Sequence, residues 1–262
     1  MNVPAIELSG VSCVFGSQAV LRNLNLTIAV GETVAIIGES GCGKSVTMKV
    51  MMKLLSPTSG QLKWFGHDVS RLPSAEQQRQ RLRLGYLFQG AALFDSLTIY
   101  ENVAFGLRMA GRHAEDHIQD IVVSRLKEVG LNADIVRKRP SEISGGMQKR
   151  VGLARALALS PDVMFYDEPT TGLDPVNSRR IDELIHSVRE IHGVTGIIVT
   201  HDLRTVQRVA DRIVMLYPRH KLNEDDSQVI FDGPLSELAT SQEARVREYV
   251  GDELESPASQ AA

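Results

Sequence analysis

Cysteine is nearly absent. Cys13 and Cys42 are the only two in 262 residues, too few for a disulfide framework and in keeping with a reducing compartment. Aromatic residues are sparse at 5%, with one tryptophan, and neither sign of charge dominates: 29 Lys and Arg face 32 Asp and Glu, for a net charge of −3. That balance provides no global basic field for nucleic acid. No apolar run approaches the roughly 20 residues needed to cross a bilayer, and the amino terminus carries no signal-peptide pattern. These absences predict a soluble, cytoplasmic chain that another protein must hold if it works at a membrane. Core-forming material is ample, with 43% of residues hydrophobic and 23% charged, which argues against disorder. The length suits one large domain, or a domain carrying a smaller subdomain.

The apolar pattern changes along the chain. Ile6-Glu7-Leu8 and Leu24-Asn25-Leu26-Thr27-Ile28 alternate with period two, as half-buried antiparallel strands do. Thr33–Ile37 is continuously apolar, as in a strand covered on both faces, and a glycine-rich turn then opens a helix-like stretch from about Lys44 to Leu55. Short strands are expected at Gly60–Phe65 and Arg83–Phe88. From about residue 98 to 159 helical periodicity replaces the strand signal, and strand-like runs return at Val163–Tyr166 and Gly196–Thr200. Helix-like segments between these runs imply parallel crossovers. The expected fold class is α/β, with an antiparallel sheet at the start and a helical insert in the middle. The tail from Asp252 is acidic and then rich in Ser, Pro, Ala and Gln, and reads as loose.

Three places carry chemistry. Gly38-Glu39-Ser40-Gly41-Cys42-Gly43-Lys44-Ser45 matches G-x-x-x-x-G-K-[ST] between a buried strand and a helix, the setting in which that motif binds phosphate. Glycines let several N–H groups point at one phosphate, and the helix start adds partial positive charge. Lys44 would reach the β- and γ-phosphates and the Ser45 hydroxyl would ligate Mg²⁺. The competing reading is an ordinary glycine-rich strand–helix turn. Asp167-Glu168 ends the apolar run at Tyr166. Asp167 would meet the magnesium shell and Glu168 would polarise water, although such a pair standing alone is more often a solvated strand edge. Ser144-Gly145-Gly146-Met147-Gln148 opens a long helical run, either as a second anion site or as a plain serine N-cap. One chain with two phosphate-type helix starts can bring both to one nucleotide only if they come from different subunits.

In this order the motifs resemble those of ATP-binding cassette (ABC) ATPases: Walker A at Gly38–Ser45, Gln89, the signature Ser144-Gly145-Gly146, Walker B at Val163–Asp167 with Glu168, then Asp174 and His201. The resemblance spans about residues 5–235. It implies a P-loop NTPase (RecA-like) core with an N-terminal antiparallel β subdomain and an inserted α-helical subdomain, the nucleotide-binding domain covering 1–235 and a C-terminal helix and tail 236–262. It implies a head-to-tail homodimer that sandwiches two ATP molecules with Mg²⁺. By position, Phe15 stacks on adenine, while Gly38, Ser40, Gly41, Cys42, Gly43, Lys44, Ser45 and Val46 cradle the phosphates. Gln89 senses magnesium and water, His201 contacts the γ-phosphate, Ser144, Gly145 and Gly146 close over the partner's nucleotide, and Asp174 communicates across the dimer. Phe15 also reads as a strand-packing side chain. The signature departs from Leu-Ser-Gly-Gly-Gln at Ile143 and Met147, a loss of at most one side-chain hydrogen bond, on the order of 1 kcal/mol.

Other polar residues read blandly. Cys42 has no general base nearby and offers at most a handle for alkylating reagents. His113 and His117 lack a third ligand at metal spacing and read as exposed. Arg79, Arg81 and Arg83 read as a solvated face.

One P-loop and an acidic balance without sustained heptads favour a transporter cassette over a soluble ABC protein acting on ribosomes or DNA. Gly90-Ala91-Ala92-Leu93-Phe94 is either an exposed docking floor for a permease helix or folded back on the helical insert. The run Leu87–Phe94, Ser144–Met147 and Arg245-Val246-Arg247-Glu248-Tyr249-Val250 resemble the Mla-type (maintenance of lipid asymmetry) or MCE-associated branch. That branch implies phospholipid transport between bacterial membranes, a permease pair, an MCE-domain lipid-binding protein and a STAS-domain regulator, with the cassette peripheral on the cytoplasmic side of the inner membrane. An amino-acid or lipoprotein-type transporter cassette is the alternative.

Overall fold

The structure, a computed structural model, describes residues 3–224 and 226–251, so the tail expected from Asp252 lies outside the described residues. In chain order the elements are β1 (Ile6–Phe15), β2 (Gln18–Ile28), β3 (Thr33–Ile37), α1 (Lys44–Met51), β4 (Ser59–Trp64), β5 (His67–Asp68), α2 (Ser74–Arg81) and β6 (Leu84–Leu87). Then follow α3 (Ile99–Ala110), α4 (Glu115–Glu128), α5 (Gly145–Leu157), β7 (Val163–Asp167), α6 (Pro175–His192), β8 (Thr195–Val199) and α7 (Leu203–Val209). β9 (Arg212–Leu216), β10 (Val229–Gly233), α8 (Leu235–Leu238) and α9 (Ala244–Val250) are the last elements among the described residues. The described residues form two compact units, one drawn from 3–72 and 198–251 and the other of Pro73–Ile197.

In the first unit, β1 pairs antiparallel with both β2 and β4 in a sheet ordered β2-β1-β4-β5. The period-two reading holds: Leu24, Leu26 and Ile28 are buried while Asn25 and Thr27 are exposed, and Ile6 faces Ile28 and Trp64 across the two ladders. The single tryptophan closes this sheet onto the helix behind it, fully buried with its indole N–H donating to Met51 O at 2.6 Å. Elsewhere in the unit β3 pairs parallel with β9, and β9 pairs antiparallel with β10. Every residue of β3 is buried, as the unbroken apolar run requires. Ala35, Ile37, Ile213 and Met215 pack with Leu238, Val246 and Val250, so α8 and α9 complete this core. At about 1.5–3 kcal/mol for each large side chain removed from water, this cluster is what holds α9.

α1 stops at Met51 rather than near Leu55. Lys53 takes a φ of 55°, and the N–H groups of Leu54 and Leu55 both turn back to Lys49 O, which ends the helix despite its apolar continuation. β9 carries in Ile213–Leu216 an unbroken buried run of the same kind as β3, whereas β10 and the polar α2 carry too little periodicity to be anticipated.

In the second unit β6 and β7 are parallel, with Tyr86 beside Phe165 and Leu87 beside Tyr166. α3, α4 and α5 pack on one another as the helical insert. A capping box starts α3: Thr98 Oγ1 accepts from Glu101 N at 3.2 Å while Thr98 N donates to Glu101 Oε2 at 2.7 Å. Within α3, buried Asn102 donates to Phe94 O at 3.1 Å and accepts from Phe94 N at 2.8 Å, which fixes the loop following Gln89. Arg79 pairs with Glu76 and Arg83 with Asp162, while Arg81 is exposed, so the basic run is a solvated face with two of its charges paired. Among the described residues no helix is long and apolar enough to cross a membrane.

Candidate functional site

The glycine loop leaves β3 and enters α1 through three glycines of positive φ: Gly38 at 137°, Gly41 at 79° and Gly43 at 101°. At Gly38 a Cβ would lie 2.1 Å from Leu216 O and 2.9 Å from Cys42 Sγ, so the loop is pressed against β9 with no room for a side chain. At Gly41 the same position is open. Gly43 provides no side-chain cap and the first turn of α1 has no acidic residue, so the helix's leading N–H groups meet neither a capping oxygen nor a competing negative charge. Lys44 Nζ donates to Gly38 O at 2.6 Å and Glu39 O at 3.0 Å, folding over the loop's own carbonyls. This donor set suits a chain of phosphates.

Ser40, Gly41 and Ser45 are exposed, Val46 half-buried, and Phe15 is 48% exposed at the end of β1, where a ring is free to stack rather than pack. Cys42 is buried, and burial pushes its thiol up, with Lys44 the largest opposing influence. A buried neutral thiol is a poor alkylation target, which corrects the reading of Cys42 as a reagent handle. His201 is exposed just beyond β8; Thr200 N donates to Ile36 O at 3.4 Å, which brings this segment alongside the strand that feeds the loop.

Three residues outside the motif brace the loop. Gln228, only 3% exposed, donates from Nε2 to Cys42 O at 2.9 Å and to Val20 O at 2.8 Å, while its Oε1 accepts from Arg22 N at 3.2 Å. Lys221 Nζ pairs with Glu39 at 2.5 Å, and the Tyr249 hydroxyl on α9 donates to Gly38 O at 3.4 Å. No signal in the sequence marks Gln228 or Lys221, because both lie about 180 residues from the loop they hold. Tyr249 stands in a run distinguished by its resemblance alone.

The second unit gathers the other motif residues. Gln89 is exposed just beyond β6. From β6 the Tyr86 hydroxyl donates to Asp167 Oδ2 at 2.8 Å, and burial together with that carboxylate drives the phenol pKa far up, so it stays a donor. Asp167 and Glu168 are half-buried, not a solvated edge. The Thr171 hydroxyl donates to Glu168 Oε2 at 3.1 Å. Ser144 is the N-cap of α5, its Oγ accepting from Met147 N at 3.3 Å, which leaves the hydroxyl proton for a ligand. The cap therefore does not exclude an anion at this helix start. Gly146 packs against Asn177, where a Cβ would meet Oδ1 at 3.0 Å, and Asn177 Nδ2 donates to Asp174, the N-cap of α6. Those donors, the Asn177 backbone first, hold the Asp174 carboxyl below the usual range.

Leu93 is half-buried and Phe94 is 43% exposed, its ring 4.8 Å from that of Phe105. Phe94 therefore rests on α3 and, with exposed Phe88, Phe105 and Met109, leaves apolar surface open. His113 and His117 are exposed, with rings 4.8 Å apart, and no group of three His, Cys, Asp or Glu suited to a metal occurs among the described residues.

The ABC transporter family model matches residues 21–171. The "probable ribonucleotide transport ATP-binding protein mkl" of Mycobacterium tuberculosis is 39% identical over 246 residues, 94% of this chain and 66% of its own. This chain thus spans about two thirds of that relative's length. The "intermembrane phospholipid transport system ATP-binding protein MlaF" of Haemophilus influenzae is 37% identical over 257 residues, covering 98% of this chain and 94% of its own. Among solved structures, the dimeric post-hydrolysis cassette MJ0796 bound to ADP and Pi superposes with a TM-score of 0.76 at 31% identity, over 88% of this chain and 98% of that one. A phosphate loop with an uncapped helix start, a second capped one free to donate, and these matches lead to one conclusion: the chain belongs to the ABC transporter family, as an ATP-binding and ATP-hydrolysing cassette.

Proposed function

We propose that this cassette powers phospholipid transport between bacterial membranes, working as a homodimer on the cytoplasmic side of the inner membrane. The observation that carries the cargo is the end-to-end match to MlaF, 98% of this chain against 94% of that one, whose name refers to intermembrane phospholipid transport. The Mkl name refers to ribonucleotides instead. A cassette holds the nucleotide while its membrane partners hold the cargo, so the test must include those partners.

The site residues act as follows. Phe15 stacks on adenine; Gly38, Ser40, Gly41, Cys42, Gly43, Lys44, Ser45 and Val46 bind the phosphates through main-chain N–H groups and the Lys44 ammonium. In binding, Lys44 exchanges the loop carbonyls it now contacts for β- and γ-oxygens. The Ser45 hydroxyl, the Gln89 amide oxygen and the Asp167 carboxylate are the hard oxygen donors that Mg²⁺ prefers, and the ion when bound neutralises charge on the phosphates. Glu168 accepts a proton from the attacking water and His201 donates to the γ-phosphate. Ser144, Gly145 and Gly146 close over the nucleotide held by the partner protomer, and Asp174, tied to Gly146 through Asn177, links that closure to the dimer seam.

Outside the nucleotide site, the apolar surface at Phe88, Phe94, Phe105 and Met109 supports docking of a permease helix. An MCE-domain lipid-binding protein and a STAS-domain regulator complete the assembly. Residues 1–235 form the nucleotide-binding domain, with 98–159 as its helical insert, and 236–262 hold a C-terminal helix and tail.

The experiment is affinity isolation of the tagged full chain from detergent-solubilised native membranes, followed by reconstitution in phospholipid vesicles. Co-isolation of a permease with an MCE-domain protein, and ATP-dependent phospholipid transfer to acceptor vesicles, is the expected result. A complex whose ATP turnover responds to an amino acid or nucleotide, with no lipid transfer, would overturn it.

A further inference from the structure

Lysine is among the residues least often found wholly inside a protein, because its ammonium must give up water. Lys149, the fifth residue of α5, is nonetheless only 5% exposed. Its Nζ donates to the main-chain carbonyl of Glu168 at 3.2 Å. Burial lowers its pKa, and the Asp167 and Glu168 carboxylates act in the opposite sense. The same carbonyl accepts from Thr171 N at 3.3 Å, while the Thr171 hydroxyl holds the Glu168 carboxylate. Between these contacts Glu168 has a φ of 46°, in the left-handed region that a residue with a side chain seldom adopts. Such conformers persist where several surrounding contacts over-determine them.

We propose that Lys149 is a positioning residue for ATP hydrolysis: gripping the Glu168 carbonyl keeps that residue in its left-handed conformer with the carboxylate aimed at the attacking water. The inference rests on the roles proposed above for Glu168 and the signature. It adds a link that neither motif contains. The helix whose first turn, Ser144–Gly146, meets the partner's triphosphate carries on its buried face, one turn along, the lysine that sets its own chain's catalytic carboxylate. Seating of the signature on one nucleotide is thereby transmitted to hydrolysis of the other, through a rigid turn of helix and one side chain.

Three full-chain variants test this, each assayed with Mg²⁺-ATP for turnover and with a non-hydrolysable analogue for affinity: Lys149→Met, Lys149→Arg and Glu168→Gln. Since a displacement near 1 Å at a reacting group costs up to about 100-fold, Lys149→Met is expected to lower kcat by roughly 10–100-fold, leave analogue affinity within about twofold, and flatten the dependence of rate on ATP concentration toward a Hill coefficient near one. Lys149→Arg, which retains a charged donor, is expected to recover most of the turnover. Unchanged kcat in Lys149→Met, or equal losses of kcat and affinity in both Lys149 variants, would overturn the proposal by making the residue a mere filler. Should Lys149→Met fail to fold, Lys149→Leu, which also removes the donor, carries the same test. Glu168→Gln separates the two layers: an active Glu168→Gln overturns the role of Glu168 itself, whereas an inactive one beside a normal Lys149→Met overturns only the link.

Discussion

Gln228→Leu probes how much of the phosphate loop is held from outside its own motif. The substitution keeps volume close to native while removing the amide. Three contacts go with it: to Cys42 O at 2.9 Å, to Val20 O at 2.8 Å and from Arg22 N at 3.2 Å. With about 1 kcal/mol for each bond and a further penalty for partners left buried and unmatched, the loss is about 3–5 kcal/mol. For a chain of this size that lowers Tm by roughly 6–20 °C. The nucleotide should register a separate effect. A released Cys42 carbonyl lets the Cys42–Gly43 peptide turn, withdrawing one N–H from the phosphates. A hydrogen bond to a charged group is worth about 1.5–3 kcal/mol, so ATP affinity should fall roughly 10- to 100-fold. The assay pairs thermal melting with calorimetric titration of a non-hydrolysable ATP analogue. Gln61→Leu is the control, since Gln61 spends its amide on Asp68 at 2.6 Å away from the loop. It should cost about 1.5–3 kcal/mol and leave nucleotide affinity alone. If Gln228→Leu melts early yet binds the analogue as tightly as the parent, Gln228 braces the fold and not the loop.

Three further expectations follow from the geometry. Gly38→Ala places a methyl 2.1 Å from Leu216 O and should cost about 2–6 kcal/mol with loss of ATP binding, whereas Gly41→Ala meets open space and should cost about 1–2 kcal/mol; equal melting temperatures for the two would contradict the close approach to β9. Phe94→Asp should leave nucleotide affinity unchanged while abolishing co-isolation of the permease, and an undiminished permease yield would refute the docking surface. Glu128 is opposed by burial, yet its contacts with His192 and Arg125 prevail and hold its carboxyl below the usual range. Its contribution is therefore full above the ordinary glutamate pKa of about 4.3 and fades as pH falls through the lowered folded value. Denaturant midpoints of the parent and Glu128→Gln should differ at pH 7 and converge in acid; a gap that widens in acid would reverse the sign.

Much of the site is legible in the order of residues. Lys44, Ser45, Asp167, Glu168 and Ser144 each stand at the junction of an apolar run and a turn or helix start. Such junctions are local, written in the spacing of a few adjacent residues. The burial pattern of β3 and the alternation of β2 come through for the same reason. The end of α1 does not, because a left-handed Lys53 overrides an apolar continuation. Cys42 reads wrongly from its neighbours because its exposure depends on packing that none of them reports.

By itself, then, the sequence determined the local pattern: a glycine loop and helix start suited to phosphate, the buried strand β3, and a serine at the start of α5. Tertiary structure alone decided what holds those groups still. Gln228 reaches Cys42, Lys221 reaches Glu39 and Tyr249 reaches Gly38 across some 180 residues or more, and Lys149 finds the carbonyl of Glu168 from another element. Spacing and periodicity record only neighbours along the chain. A brace made by a distant side chain becomes visible once hydrophobic burial has brought its strand or helix into place.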